Sequence, residues 1–166
     1  MAGNLLSAII AVDIDDDKLE LAKKFGAHYT INPKYENVEE KIREITDKNM
    51  VDFAIEGSGN PSVVNNALTC LKSRKGRLIL MSSYESEAAP FNLKMAMEKS
   101  VEVIFPHPGY CDNQAYDMRR AVTALNNEVF KNEEIVSHVF SLNDIQKAFE
   151  ALENKPVGYL KGIVIP

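Results

Sequence analysis

The feature that most constrains the fold of this chain is the alternation of short β-branched runs with stretches whose apolar residues recur at helical spacing. The predicted strands are residues 8–13, 27–32, 51–56, 77–83, 101–105, 136–141 and 159–165. The first of them, AIIAVD, is nearly continuously apolar, as in a strand covered on both faces. Because strands that alternate with helices pair in parallel through right-handed crossovers, the pattern predicts an α/β fold with a doubly wound parallel sheet.

Helix signals separate these strands. The carboxylates of Asp15 to Asp17 suit the N-terminus of the first helix, and Gly26 ends it. Further helices are predicted over residues 37–47, 61–71, 113–126 and 141–152. The last of these begins with Ser141 and Asp144, a Ser-x-x-Asp variant of the capping box. Residues 84–99 give a mixed pattern and stay unassigned.

The predicted helix over residues 113–126 has an apolar stripe formed by Met118, Val122 and Leu125. Residues at this spacing share one face of a helix.

Composition excludes several classes of protein. The chain has 166 residues, enough for a domain with a sizeable core, and 19 basic against 24 acidic residues give a net charge of −5. No basic stripe suggests nucleic acid or an anionic membrane, and the apolar runs are shorter than a membrane span. Cys70 and Cys111 lack paired spacing, so neither a disulfide framework nor a structural zinc site is predicted. No signal peptide is recognised, and we expect a cytoplasmic protein.

Asp13 is the first candidate for chemistry, because it stands at the carboxyl end of the first predicted strand. A carboxylate in this position of a dinucleotide-binding sheet accepts both hydroxyls of the adenosine ribose of NAD and repels the 2′-phosphate of NADP. The alternative is that Asp13 only begins a turn or caps the helix. Lys18, in the first helical turn, reaches back toward the same ribose under the first hypothesis and is simply exposed under the second.

The segment GSGNPS, residues 57–62, follows a strand and precedes a helix, as a pyrophosphate-binding loop does. Its third motif position is Ser62 instead of Gly or Ala, and the next strand ends in Met81-Ser82-Ser83 without a carboxylate. We therefore reject it as the pyrophosphate loop. It still lies at the edge where open α/β sheets bind ligands, although its glycines also fit a simple tight turn.

The remaining reactive residue types give no catalytic or metal-binding pattern. The histidines His28, His107 and His138 are scattered, Cys70 falls on the apolar side of a helix, and no serine stands in a nucleophile elbow. Glu56 ends a strand and faces the expected crevice, but the sequence shows no partner that would activate it. No catalytic residue and no metal ligand is predicted.

Residues 8–33, 51–83 and 138–165 resemble, in this order, the zinc-type alcohol and polyol dehydrogenases of the medium-chain dehydrogenase/reductase family. The resemblance implies a Rossmann-like sheet with NAD as cofactor. It matches Asp13 and Lys18 to the ribose site, Met81 to Ser83 and Ile104 to Phe105 to the nicotinamide site, and Lys161 to the pyrophosphate. With Ile14 and Gly57 added, the predicted cofactor-binding residues are Asp13, Ile14, Lys18, Gly57, Met81, Ser82, Ser83, Ile104, Phe105 and Lys161.

The chain also departs from this family. Only residues 1–7 precede the first predicted strand, so we expect the sheet to lack the family's first strand and its glycine-rich loop. The family's zinc ligands come from an N-terminal domain, so zinc is expected only in a full-length enzyme, and this chain alone is not expected to catalyse the reaction. The family's domain order implies a partial NAD-binding domain over residues 1–105 and a C-terminal segment over 106–166 that returns to the catalytic domain.

Three hypotheses follow. The first is the NAD-binding C-terminal part of a zinc-dependent alcohol or polyol dehydrogenase, which in the intact enzyme transfers a hydride between a small-molecule alcohol or polyol and NAD. The second is a non-catalytic Rossmann module that acts with a partner chain. The third, a methyltransferase, also places an acid after its second strand. We expect a homo-oligomer, paired near residues 84–103, or association with a missing N-terminal part, and no nucleic-acid or membrane partner.

Overall fold

The computed structural model describes residues 8–84, 90–129 and 134–166, and it confirms the alternation of strands and helices. In chain order the elements are β1 Ile10–Val12, α1 Asp16–Lys24, β2 Tyr29–Ile31, α2 Val38–Ile45, β3 Phe53–Glu56, α3 Pro61–Cys70, β4 Arg77–Leu80, α4 Leu93–Lys99, β5 Glu102–Ile104, α5 Gln114–Asn126, β6 Val136–Ser141, α6 Ile145–Asn154 and β7 Lys161–Ile165. Short 3₁₀ turns lie at Pro108–Tyr110 and Leu142–Asp144. The fold class is the predicted Rossmann-like α/β type.

The strands pair as neighbours within separate sheets. β1 pairs with β2, β4 lies between β3 and β5, and β6 pairs with β7. The β3–β4–β5 sheet and the β6–β7 pair are parallel, as the sequence predicted. In the central sheet Glu56 stands opposite Leu80, and Ile79 stands opposite Ile104. This register brings the carboxyl ends of β3, β4 and β5 to one edge.

The chain divides into two compact units. The first comprises residues 1–11, 15–29 and 115–166, of which the structure describes those from residue 8 onward with the gaps given above, and the second comprises 12–14 and 30–114. The division separates residues that are close in sequence, because β1 and β2 contribute to both units. The domain boundary that the family's domain order implies after residue 105 remains a prediction.

The core of the second unit lies between α3 and the central sheet. Val64 and Leu68, four residues apart on α3, pack with Leu71, Leu78 and Leu80, and all five are buried. Side chains at i and i+4 share one face of a helix, so α3 covers the sheet with a continuous apolar surface. Each fully buried leucine contributes roughly 2 kcal/mol of transfer free energy.

Side-chain caps explain where the helices α1 to α4 begin. Asp15 accepts a hydrogen bond from the backbone N–H of Asp17 at the start of α1, which confirms the predicted cap. Asn37 and Asn60 cap α2 and α3 in the same way, and Pro61 occupies the first turn of α3. The side chain of Asn92 caps α4, the helix that the sequence left unassigned.

One local prediction needs correction. Ser141 does not open α6 through a capping box: its hydroxyl accepts from the N–H of Asn143 and caps the 3₁₀ turn, and α6 begins after that turn. The stripe of Met118, Val122 and Leu125 forms on α5 as predicted, but all three side chains are exposed. Helical spacing predicts which residues share a face, and it does not say what that face contacts.

Lys99, the last residue of α4, closes the C-terminal end of α3. Its ammonium group donates to the carbonyl oxygens of Leu68, Thr69 and Leu71 at 3.2, 2.6 and 2.8 Å. The last carbonyls of a helix have no partner within the helix, and a cation is favoured there by the helix dipole. Burial lowers the pKa of Lys99, against the opposing effect of the Glu39 carboxylate.

We expect Lys99→Met to lower the free energy of unfolding by about 2 kcal/mol, because the carbonyl groups at the end of α3 lose a charged donor. Urea denaturation followed by circular dichroism measures this. Lys94→Met on the same helix is the control, since the Lys94 side chain is exposed and its ion pair with Glu98 is long, 3.9 Å. Equal losses in the two variants would contradict the capping role.

Candidate functional site

The central sheet brings six of the predicted cofactor residues to one edge. Gly57 follows β3; Met81, Ser82 and Ser83 follow β4; Ile104 ends β5, and Phe105 follows it. The ladder continues past the end of β4, because the N–H of Met81 donates to the carbonyl oxygen of Glu56 at 3.0 Å. In open parallel sheets this carboxyl edge is where ligands bind. The site therefore has the placement that the sequence predicted, whereas the cofactor role of each residue stays a prediction.

The turn after β3 packs closely against the end of β4. Gly59 has a φ of +74°, and a Cβ placed there would lie 3.4 Å from the carbonyl oxygen of Ser83 and 3.8 Å from the Cβ of Ser82. A side chain at Gly59 would be strained by its backbone conformation, although its Cβ would meet these atoms at ordinary van der Waals distances. Gly57 has no positive φ and meets open space, so of the two glycines only Gly59 is required by this turn.

Glu56 is the one buried carboxylate among the described residues, with 3% of its surface exposed. It accepts hydrogen bonds from the backbone N–H of Ser58 at 2.7 Å, from the Ser58 hydroxyl and from the hydroxyl of Tyr84. Burial alone would raise the pKa of this carboxyl group, but the donors from Ser58, Tyr84 and the N–H of Gly59 outweigh burial and hold the pKa below its ordinary value.

The sequence had shown no partner for Glu56, and the structure corrects this. Ser58 could have been found from sequence, because a serine two residues after an acid commonly returns a hydrogen bond within a turn. Tyr84 could not, because it belongs to a segment that follows a different strand. These hydrogen bonds stabilise the charged form of Glu56. The carboxylate is therefore suited to act as a structural anchor, which holds neighbouring segments in place, and not as a general base that takes up a proton.

Tyr84 connects this anchor to an apolar cavity. Burial, the hydrogen bond to Glu56 and the charge of Glu56 raise the pKa of Tyr84 to about 12, so its hydroxyl stays protonated. A cavity of about 300 Å³ lies beside the ring and is lined by Val64, Leu80, Tyr84, Pro90, Phe91, Val103 and Phe105. The hydroxyl of Tyr84 is thus held by the charged carboxylate of Glu56, and its side chain forms part of the apolar wall of the cavity.

Asp13 and Ile14 follow β1 and belong to the second unit. The N–H of Asp13 donates to the carbonyl oxygen of Ile31 at 3.3 Å, so the end of β1 is fixed on β2. The buried Asn32 donates to the carbonyl oxygen of Ile14 at 3.3 Å and accepts from the N–H of Lys34 at 3.0 Å. Asn32 is a positioning residue that the sequence analysis missed, since an asparagine after a strand is also an ordinary turn residue.

Lys18 and Lys161 lie in the first unit, on α1 and at the start of β7. Both side chains are exposed. The N–H of Lys161 donates to the hydroxyl of Ser137 at 3.2 Å, which fixes the backbone there and leaves the ammonium group to solvent. Their predicted roles at the ribose and the pyrophosphate remain predictions.

His28, His138 and Cys70 have local structural roles. His28 accepts a hydrogen bond from the N–H of Ile9, and His138 stacks with Phe140 and Tyr159. Burial raises the pKa of the Cys70 thiol, as expected for a core cysteine. Within residues 8–84, 90–129 and 134–166 no group of three His, Cys, Asp or Glu side chains is arranged to hold a metal ion. No helix in this part of the chain has the length and apolarity needed to cross a membrane.

Comparison with known proteins identifies the family. Residues 1–127 match the family described as zinc-binding dehydrogenase. The chain belongs to this family. The family resemblance of the sequence is thereby confirmed, and the methyltransferase hypothesis is excluded.

Individual zinc-binding dehydrogenases agree with the family match. The chain is 30% identical over 162 residues to a "CYP enzymes assisting alcohol dehydrogenase" of Catharanthus roseus, covering 89% of this chain and 40% of that protein. It is 30% identical over 143 residues to an erythritol/L-threitol dehydrogenase of Mycolicibacterium smegmatis, covering 86% of this chain and 38% of that protein. The structure of an alcohol dehydrogenase zinc-binding domain protein from Burkholderia ambifaria superposes with a TM-score of 0.82 at 28% identity, covering 96% of this chain and 42% of that one. The chain thus spans about two fifths of the length of these relatives.

We expect Glu56→Gln to make the free energy of unfolding less dependent on pH in the acidic range. The folded state holds the pKa of Glu56 below its ordinary value of 4.5, so its contribution is present above that pH and is lost as pH falls through the folded-state pKa. In urea denaturation the variant should be less stable than the wild type by about 1 kcal/mol near pH 7, and the difference should shrink as the pH falls through the folded-state pKa of Glu56. Glu153→Gln, at an exposed position of α6, is the control. A difference that stays constant with pH would contradict the anchor role.

Proposed function

We propose that this chain is the NAD-binding part of a zinc-dependent alcohol or polyol dehydrogenase. The observation that carries the proposal is the edge of the central sheet, where the ends of three parallel strands meet beside a glycine turn. The names of the relatives, alcohol dehydrogenase and erythritol/L-threitol dehydrogenase, support the chemical class of the reaction.

In this proposal Asp13 binds the adenosine ribose. Its backbone is fixed by the bond to Ile31, and the next residue is fixed by Asn32, so the carboxylate extends from a rigid strand end. A rigid acceptor suits the two ribose hydroxyls, and its charge repels a 2′-phosphate. The family resemblance assigns Lys18 to the ribose as well, and in this proposal Ile14 packs along the adenosine.

The nicotinamide lies against the ends of β4 and β5. Met81 and Phe105 are 61% and 70% exposed, and a bound ring would cover such apolar side chains. Ser82, Ser83 and Ile104 complete this wall, with Gly57 at its margin and Lys161 at the pyrophosphate. When bound, the nicotinamide supplies the hydride chemistry, and the side chains of this chain orient the ring and exclude water from it.

Hydride transfer to or from an alcohol belongs, in this proposal, to the longer protein of which the relatives are examples. The described residues offer no group of side chains arranged to hold a metal ion, so the proposal assigns them no zinc ligand. The substrate is a small alcohol or polyol. We also propose the division into a cofactor part, residues 1–105, and a returning segment, 106–166, together with a cytoplasmic location.

Association is part of the same proposal. The chain acts as a homo-oligomer paired near residues 84–103 or together with an N-terminal part. Size-exclusion chromatography with light scattering measures the mass directly; a monomer at micromolar concentration would contradict the homo-oligomer.

We expect the chain to bind NADH more tightly than NADPH, and Asp13→Ala to remove this preference. Losing hydrogen bonds to a charged acceptor should weaken NADH binding roughly tenfold or more. Titration followed by NADH and NADPH fluorescence measures both affinities. Asp17→Ala, which removes an exposed carboxylate from the first turn of α1, should leave the preference intact. An identical NADH-to-NADPH ratio before and after Asp13→Ala would refute the ribose assignment.

A further inference from the structure

We propose that Tyr84 and Glu56 form a positioning junction, defined as these two side chains and Ser58, which sets the nicotinamide end of the cofactor site. The inference rests on the proposed function, because it concerns the same edge of the sheet. Neither residue touches the reacting atoms in this proposal. They act through the backbone segments that they hold in place.

The junction joins two segments that are distant in sequence. The carboxylate of Glu56, at the end of β3, receives the hydroxyl of Tyr84, which stands beyond the end of β4. The same carboxylate receives the N–H and hydroxyl of Ser58, and the Ser58 oxygen in turn accepts from the N–H of Asn60 at 3.1 Å. The turn after β3 and the segment after β4 are therefore bound to a single buried charge.

The burial of Glu56 makes the loss of any one of these hydrogen bonds costly. A carboxylate with 3% of its surface exposed is costly unless donors surround it, so removing one donor leaves an unsatisfied acceptor in the interior. Ser58 and Tyr84 supply the side-chain donors, one from each segment. A relative movement of the two segments would break one of these bonds.

The junction also affects the backbone positions of Ser82 and Ser83. A Cβ placed on Gly59 would lie 3.4 Å from the carbonyl oxygen of Ser83, so the turn that Glu56 holds comes close to the end of β4. The ring of Tyr84 lines the apolar cavity together with Phe105. The junction thus fixes both the serine backbone and the aromatic wall that the proposal assigns to the nicotinamide, and displacements of about 1 Å at such positions are costly.

A merely stabilising role predicts a different outcome from a positioning role. General destabilisation would weaken every part of the cofactor site together. A junction that orients the nicotinamide wall should affect ligands that contain a nicotinamide and spare ADP-ribose, which shares the adenosine ribose and pyrophosphate. The ratio of the two affinities therefore separates the roles.

The experiment compares Tyr84→Phe with Tyr110→Phe. Both remove one hydroxyl and keep the ring, but Tyr110 is 87% exposed and lies outside the junction. Affinities for NADH and ADP-ribose are measured by isothermal titration calorimetry on the full chain. We expect Tyr84→Phe to weaken NADH binding roughly fivefold while ADP-ribose binding changes less than twofold. Tyr110→Phe should change neither.

Two results would overturn the proposal. If Tyr84→Phe leaves NADH binding unchanged, or weakens NADH and ADP-ribose equally, the junction has no positioning role, and the proposed function stands. If the wild-type chain binds neither ligand, the proposed function fails, and the junction proposal fails with it. The second result is seen before any variant is made, so the two failures are distinguishable.

Discussion

The parallel register of β3, β4 and β5 is the constraint on which the rest of the site depends. Glu56 opposite Leu80 and Ile79 opposite Ile104 fix three strand ends at one edge. A slip by one residue would turn every side chain to the opposite face, moving Leu78 and Leu80 out of the core. The core therefore specifies the register, and the register places the residues that follow each strand.

The helix α3 links that core to the site. Its buried face holds Leu68 against the sheet, its N-terminus begins directly after the turn that contains Gly59, and its C-terminus is closed by Lys99. The position of α3 is thus determined by its packing on the sheet, by the cap that Lys99 provides and by the geometry of the turn before it. Because the turn is anchored at both sides, by the helix on one and by Glu56 on the other, its position has little freedom.

The sequence predicted the parts of this structure that depend on local pattern. The strands, the cap at Asp15, and the placement of Met81 and Phe105 at one edge all follow from periodicity and chain order. α4 was missed because its apolar residues lie on more than one face: Met95 and Ala96 pack against the core, whereas Leu93 and Met97 are exposed. The bond from Tyr84 to Glu56 was missed because it joins separate segments, and only a fixed register brings them together.

The protonation states of the junction carry a further consequence. Glu56 has its pKa held below the ordinary carboxyl value, and Tyr84 has its pKa raised to about 12, so neither group changes charge near neutral pH. The junction therefore keeps one hydrogen-bonded geometry across that range. A dehydrogenation must also release a proton from the alcohol, and a pair locked in this way is a poor acceptor for it. In the dehydrogenase that we propose, the proton of the alcohol is therefore expected to leave through groups other than Glu56 and Tyr84, to which the proposal assigns a positioning role.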